Sequence, residues 1–167
     1  MARARGREGG ASAVEFALLL PVLVLLLFGI MYGASLFNTQ QTVTQAAREG
    51  ARFGATLPLS AFGDESFPPD NDWFAAVEAR TRSVLANDAP LTLGNTPPRV
   101  CVVFTEGNTA ETRGDCPGGL TDDLDPDTPP RVQVVTGRPA ILELGIARVG
   151  PIELTATGIA RYEGELE

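Results

Sequence analysis

The longest apolar pattern lies near the start of the chain. From Phe16 to Phe37 there are 22 residues without a charge, and 14 of them are Leu, Val, Ile or Phe. A helix of that length spans roughly 33 Å, enough to cross a hydrocarbon core of ~30 Å. On the insertion scale those side chains contribute about −0.3 to −0.6 kcal/mol each, which outweighs Pro21 and the small residues. Residues 11–37 are therefore expected to cross a membrane. Beyond them, Leu36 to Ala55 (LFNTQQTVTQAAREGARFGA) turns polar but contains no proline and keeps helical spacing, so the helix is expected to run on to about Ala55. Small residues recur four apart in two rows, Ala46, Gly50, Gly54 and Ala47, Ala51, Ala55. Such rows let a second backbone come close. They suit packing on the chain's own sheet, contact with neighbouring subunits, or both on different faces.

The remaining pattern predicts one more helix and then strands. Leu57 to Pro69 is punctuated by prolines and small polar residues and reads as a loop. Asn71 or Asp72 caps a helix through about Asn87, with Phe74, Val77, Thr81, Val84 and Leu85 as its buried stripe and Glu78, Arg82 and Asp88 off it. Trp73 reads as core. Asn87-Asp88-Ala89-Pro90 ends the helix. Arg99–Thr105 is apolar on both faces, as in a covered strand, and Arg131–Thr136 alternates. Ile152–Glu163 alternates longest, with Ile152, Leu154, Ala156, Gly158, Ala160 and Tyr162 on one face. Pro139–Gly150 is apolar and reads either as a short helix or as a loop grazing the membrane. The expected fold class is α+β: a long N-terminal transmembrane helix continuing into a small domain, where a second helix packs on an antiparallel sheet of about three or four strands.

Charge sets the orientation. Met1–Gly10 carries Arg3, Arg5 and Arg7 against Glu8, while the remainder carries 10 Arg against 20 acids. A basic leader over residues 1–10 favours a cytoplasmic N-terminus, and residues 38–167 then form an extracytoplasmic domain. The opposite flank, Arg48 and Arg52 against Glu49, opposes this only weakly. With a net charge of −8, the chain is a poor partner for nucleic acid. All 13 basic residues are Arg, and there is no Lys or His. That removes Ser-His-Asp, Cys-His and Ser-Lys arrangements, and the glycine-rich pieces match no phosphate loop. Neither an enzymatic activity nor a small-molecule substrate is expected.

Glu106–Pro130 is the one stretch of low hydrophobicity. Cys101 lies in the strand before it and Cys116 within it, and outside the cytoplasm that pairing predicts a disulfide pinning the loop to the sheet. Asp122, Asp123, Asp125 and Asp127 raise a calcium hypothesis. Counted as loop positions one, three and five, however, Asp123, Asp125 and Asp127 put Thr128 and Val134 where an EF-hand needs Gly and Glu. The segment reads as a solvated acidic loop, and neither metal nor cofactor is expected.

The front edge of the apolar run admits three readings. It can be a plain signal anchor, a cleaved secretory signal with small residues at Tyr32-Gly33-Ala34-Ser35, or a leader cut after Gly10 on the cytoplasmic side. The last gives Glu15 a physical role. A carboxylate in an apolar segment costs up to ~3 kcal/mol at mid-membrane, and the freed amine of a neighbouring subunit would partner it.

The run GGASAVEFALLLPVLVLLLFGIMYGASLFNTQQTVTQAAREGARFGA resembles the N-terminal signature of TadE-like proteins, minor pilins or pseudopilins of the bacterial tight-adherence (Flp-type) pilus assembly system. The likeness is closest over Gly9–Ala55 and includes the Gly-to-Glu spacing, the pair Glu15-Phe16, Pro21 and the stretch Gln45–Arg52. The resemblance implies a pilin-like fold and a role in pilus assembly for adhesion and biofilm formation. It implies a processing site at Gly10, Ala11, Glu15 and Phe16, with Gly10 the last leader residue and Ala11 the mature N-terminus. Its implied partners are the membrane, a prepilin peptidase, and other pilins or pseudopilins together with the assembly platform. The alternative is an uncleaved single-pass envelope protein whose outer domain binds a partner or the cell wall.

Overall fold

A computed structural model describes residues 9–58, 69–86, 97–117, 126–143 and 148–163. Helix α1 runs unbroken over Gly9–Thr56, 48 residues with Pro21 inside, or roughly 72 Å at 1.5 Å per residue. Its exposure divides it in two. Every residue from Ser12 to Met31 is exposed, while a stripe at Thr39, Val43, Ala46, Ala47, Gly50, Ala51, Gly54 and Ala55 is buried. The spacing of three and four keeps that stripe on one side of the helix.

Helix α2 spans Asn71–Ala86 and buries Trp73, Phe74, Val77, Thr81 and Leu85, with Val84 half-buried. The Thr81 hydroxyl donates back to the Val77 carbonyl (2.8 Å), which lets a polar side chain sit in the core. The expected helix stop at Asn87–Pro90 lies outside the described residues.

Four strands follow: β1 (Arg99–Glu106), β2 (Thr109–Gly114), β3 (Arg131–Glu143) and β4 (Arg148–Arg161). They form one sheet in the order β2-β1-β3-β4, antiparallel throughout. The α+β expectation therefore holds, with two differences of detail. Strand β2 lies within the stretch read as a polar insertion. Within Pro139–Gly150 the described residues are strand and not helix: β3 continues through Glu143, β4 starts at Arg148, and Glu143 is in register with Arg148, while residues 144–147 lie outside the described residues.

One face of the sheet carries Val100, Val102, Phe104, Val132, Val134 and Tyr162 against α1 and α2. Trp73 anchors the layer through edge-on contacts with Phe74 (5.1 Å) and Phe104 (5.6 Å), and Phe104 meets Tyr162 at 5.3 Å. The opposite face holds a smaller buried cluster, Cys101, Val103 and Val135, flanked by Ala110 and Cys116. Strand β1 is thus covered on both sides, as its unalternating sequence requires.

Candidate functional site: helix α1 and its seam with the domain

The N-terminal half of α1 presents apolar side chains on all sides. Phe16, Leu18, Leu25 and Ile30 are each more than three-fifths exposed. A helix apolar all round belongs in a protein core or a membrane, and among the described residues nothing covers this half from Ser12 to Met31. It is long and apolar enough to cross a membrane. Gly10 and Ala11 lie in its opening turns. Glu15, four residues after Ala11 and so on the same helical face, is exposed and has no ion-pair partner among the described residues.

The C-terminal half becomes the spine of the domain because its side chains are small. A Cβ added to Gly50 would collide with Thr81 Oγ1 of α2 and come within 3.3 Å of Val134 Cγ1 of β3. At Gly54 it would meet Val132 Cγ1 at 2.9 Å, Val77 Cγ2 at 3.2 Å and the Trp73 ring at 3.3 Å. Ala46, Ala47, Ala51 and Ala55 are all at most 3 % exposed. Both small-residue rows therefore face the chain's own sheet and second helix.

Polar groups close the seam at its two ends. Gln40 Nε2 donates to the Thr155 carbonyl (3.1 Å) and the buried Thr136 hydroxyl to the Val43 carbonyl (3.0 Å). At the far end the Leu57 carbonyl accepts from both Trp73 Nε1 (3.2 Å) and the Tyr162 hydroxyl (3.3 Å). The exposed side of the same helix borders an open groove shared with α2, lined by Gln45, Arg48, Glu49, Arg52, Arg80 and Val84. Within it Arg80 Nη2 and Glu49 Oε1 pair at 2.8 Å.

Cys101 and Cys116 form a disulfide across 15 residues, with Cα atoms 4.8 Å apart. Beside it Arg99 bridges Asp115 (3.1 Å) and Glu153 (3.0 Å) at the sheet surface. Among the described residues no group of His, Cys, Asp or Glu is arranged to hold a metal ion. Asp122, Asp123 and Asp125 lie outside those residues.

The helix decides the comparison with known proteins. A family model described as TadE-like protein matches residues 10–52, every one of them on α1. It is this helix that resembles the family. No curated protein and no solved structure matches the chain. The TadE-like match opens at Gly10, takes in the exposed apolar half, and ends at Arg52 within the packed half. The sheet lies beyond it.

The seam has a second contributor that the sequence pattern only hinted at. Gly158 of β4 is so close to the Ala47 carbonyl group that a Cβ there would overlap it. A glycine inside an alternating strand marks either a bulge or a close backbone approach. Here it is the approach, since β3 and β4 stay in register through Val134 and Gly158.

Proposed function

We propose that the chain is a structural subunit of a tight-adherence pilus system, a minor pilin or pseudopilin that works through assembly rather than catalysis. The observation that carries this reading is the TadE-like match over residues 10–52. It falls on a helix whose first half is bare and apolar and whose second half is the spine of a folded domain. That division is what an assembling subunit needs: one half free to sit in lipid or against neighbouring helices, the other committed to its own sheet.

In this reading a prepilin peptidase cuts after Gly10, Ala11 becomes the N-terminus, and Glu15 receives the freed amine of a neighbouring subunit. Residues 1–10 are the cytoplasmic leader, 11–37 the membrane segment and 38–167 the outer domain. Other pilins and the assembly platform are the partners. Glu15, exposed and without an ion-pair partner among the described residues, supports the assignment, because a carboxylate on an otherwise apolar helix face calls for a partner. The unbroken helix through Tyr32–Ser35 supports an anchor over a cleaved secretory signal at that position.

Mass spectrometry of protein extracted from membranes of cells that hold a prepilin peptidase tests this. The expected N-terminus is Ala11, and Gly10→Phe should leave the leader attached. A wild-type chain that keeps residues 1–10 under those conditions would favour the permanently anchored envelope protein instead.

A further inference from the structure

The open groove between α1 and α2 carries a charge opposite to that of the chain around it. Beyond residue 10 the chain has 10 Arg against 20 acids, yet Arg48, Arg52 and Arg80 line this groove with Glu49 as its one acid. Arg80 is taken up by Glu49. Arg48 and Arg52 are exposed and form no ion pair among the described residues. They stand one turn apart on one helix, where like charges repel. The helix dipole does not account for them, because its favour for cations is confined to the last turn, and the last turn of α1 holds no basic residue. Such a groove suits carboxylates brought from elsewhere.

The end of the domain far from the apolar segment carries the opposite sign. Strand β4 runs alongside α1 in the same sense: Gln40 bonds to Thr155 and, past the end of the strand, Glu163 N donates to the Ala55 carbonyl (3.1 Å). Helix α2 runs the other way, with Thr81 against Gly50 and Trp73 against Gly54, so its first turn lies at the end of α1. Trp73 and Tyr162 meet there on the Leu57 carbonyl, which sets their chain neighbours Asp72 and Glu163 on the rim around it. Both acids are exposed and neither forms an ion pair among the described residues. Arg131 and Arg161 are in register near the same end but alternate onto the sheet face away from α1. The last carbonyls of α1 add to the negative potential of the rim.

We propose that the arginine groove of one copy receives the acidic rim, Asp72 and Glu163, of a second copy standing parallel to it. The proposal rests on the assembly reading and gives it a second contact. In that reading Glu15 of one copy meets the freed Ala11 amine of its neighbour, which sets the neighbour four residues, roughly 6 Å, further out along the helix axis. The same shift brings the end of the first copy's α1, at Leu57, level with Phe53 of the neighbour and so beside its Arg52. One copy then offers acids at both levels and the other offers positive charge at both, so the two contacts demand one register. The two patches are different surfaces of the chain. The contact is therefore heterologous and passes from copy to copy instead of closing on a pair.

The test uses the full chain in cells that hold a prepilin peptidase. Photoreactive benzoylphenylalanine replaces Asn71, an exposed residue beside Asp72, and the membrane and pilus fractions are irradiated. The expected product is a dimer whose cross-link maps to Arg48–Arg52 or to Arg80 of the second copy. Arg48→Glu with Arg52→Glu should lower the dimer yield several-fold. Adding Asp72→Arg and Glu163→Arg to the same chain should restore it, because every copy then carries both reversals; a merely damaged fold would not be rescued. A chain that starts at Ala11 but gives no such dimer, a yield that ignores the first reversal or is not restored by the second, or a cross-link to another protein overturns the groove contact alone. A chain that keeps residues 1–10 overturns the assembly reading and this proposal with it.

Discussion

Gly158 on β4 touches the carbonyl group of Ala47 on α1 with no room for a side chain between them. The obstruction is backbone on both sides, so a rotamer change cannot relieve it. Gly158→Ala should push α1 off the sheet and destabilise the domain by about 1–3 kcal/mol, as overpacking does. Trp73 is the single tryptophan and is fully buried, so its fluorescence during urea unfolding in detergent reads the effect directly. Gly29 and Gly33 have open space where a Cβ would go, and alanine at either should leave that midpoint unchanged.

The contact of Gly50 with Thr81 is of a different kind, because one partner is a side chain. Gly50→Ala alone should cost about 1–3 kcal/mol. Thr81→Ala removes the hydroxyl that Gly50→Ala would strike, so the double variant should recover part of the loss. A double-mutant cycle on urea midpoints measures the coupling. Simple additivity would show that the two positions do not share one tight contact.

Removing the bond between Cys101 and Cys116 frees a loop of 15 residues. Chain-entropy reasoning puts the loss at about 3 kcal/mol. Unfolding followed with and without a reductant should show it as a fall in midpoint. The pair Cys101→Ala and Cys116→Ala should start at the lower value and ignore the reductant.

Arg99 holds two carboxylates, but all three side chains are roughly half or more exposed. Exposed pairs contribute about 0–1 kcal/mol. Arg99→Ala should therefore lower stability by less than about 1 kcal/mol, and added salt should shrink the difference between variant and parent.

The features legible in the sequence were those with a period and a length. Helix α1 showed as 22 uncharged residues followed by four-spaced small ones, and α2 as a stripe in which Phe74, Val77, Thr81 and Leu85 proved buried. Strands β1, β3 and β4 carry β-branched residues in runs or alternation. Strand β2, TAETRG, carries none of that signal: it is an edge strand held by its pairing with β1, and its side chains are exposed or half-buried. The ends of β3 and β4 were hidden for the opposite reason. Residues 139–150 read as apolar without alternation, and only the pairing of Leu142 with Val149 and Glu143 with Arg148 marks 139–143 and 148–150 as strand. At the membrane edge, Gly10 and Glu15 were visible as a spacing, but nothing in that spacing says which outside group meets the acid. The destination of the small-residue rows also needed the fold, because a row of Ala and Gly fits a sheet and a neighbouring helix equally well.

Helix α1 joins its apolar half to its packed half with no linker between them. A pull along its axis from the N-terminal end therefore reaches the domain undamped by any slack. Because β4 runs alongside the helix, that pull loads the Gln40–Thr155, Ala47–Gly158 and Ala55–Glu163 contacts in parallel, as shear. Contacts loaded together share the force, whereas a sheet hung end-on from the helix would unzip one contact at a time. The molecule is built as a tension member.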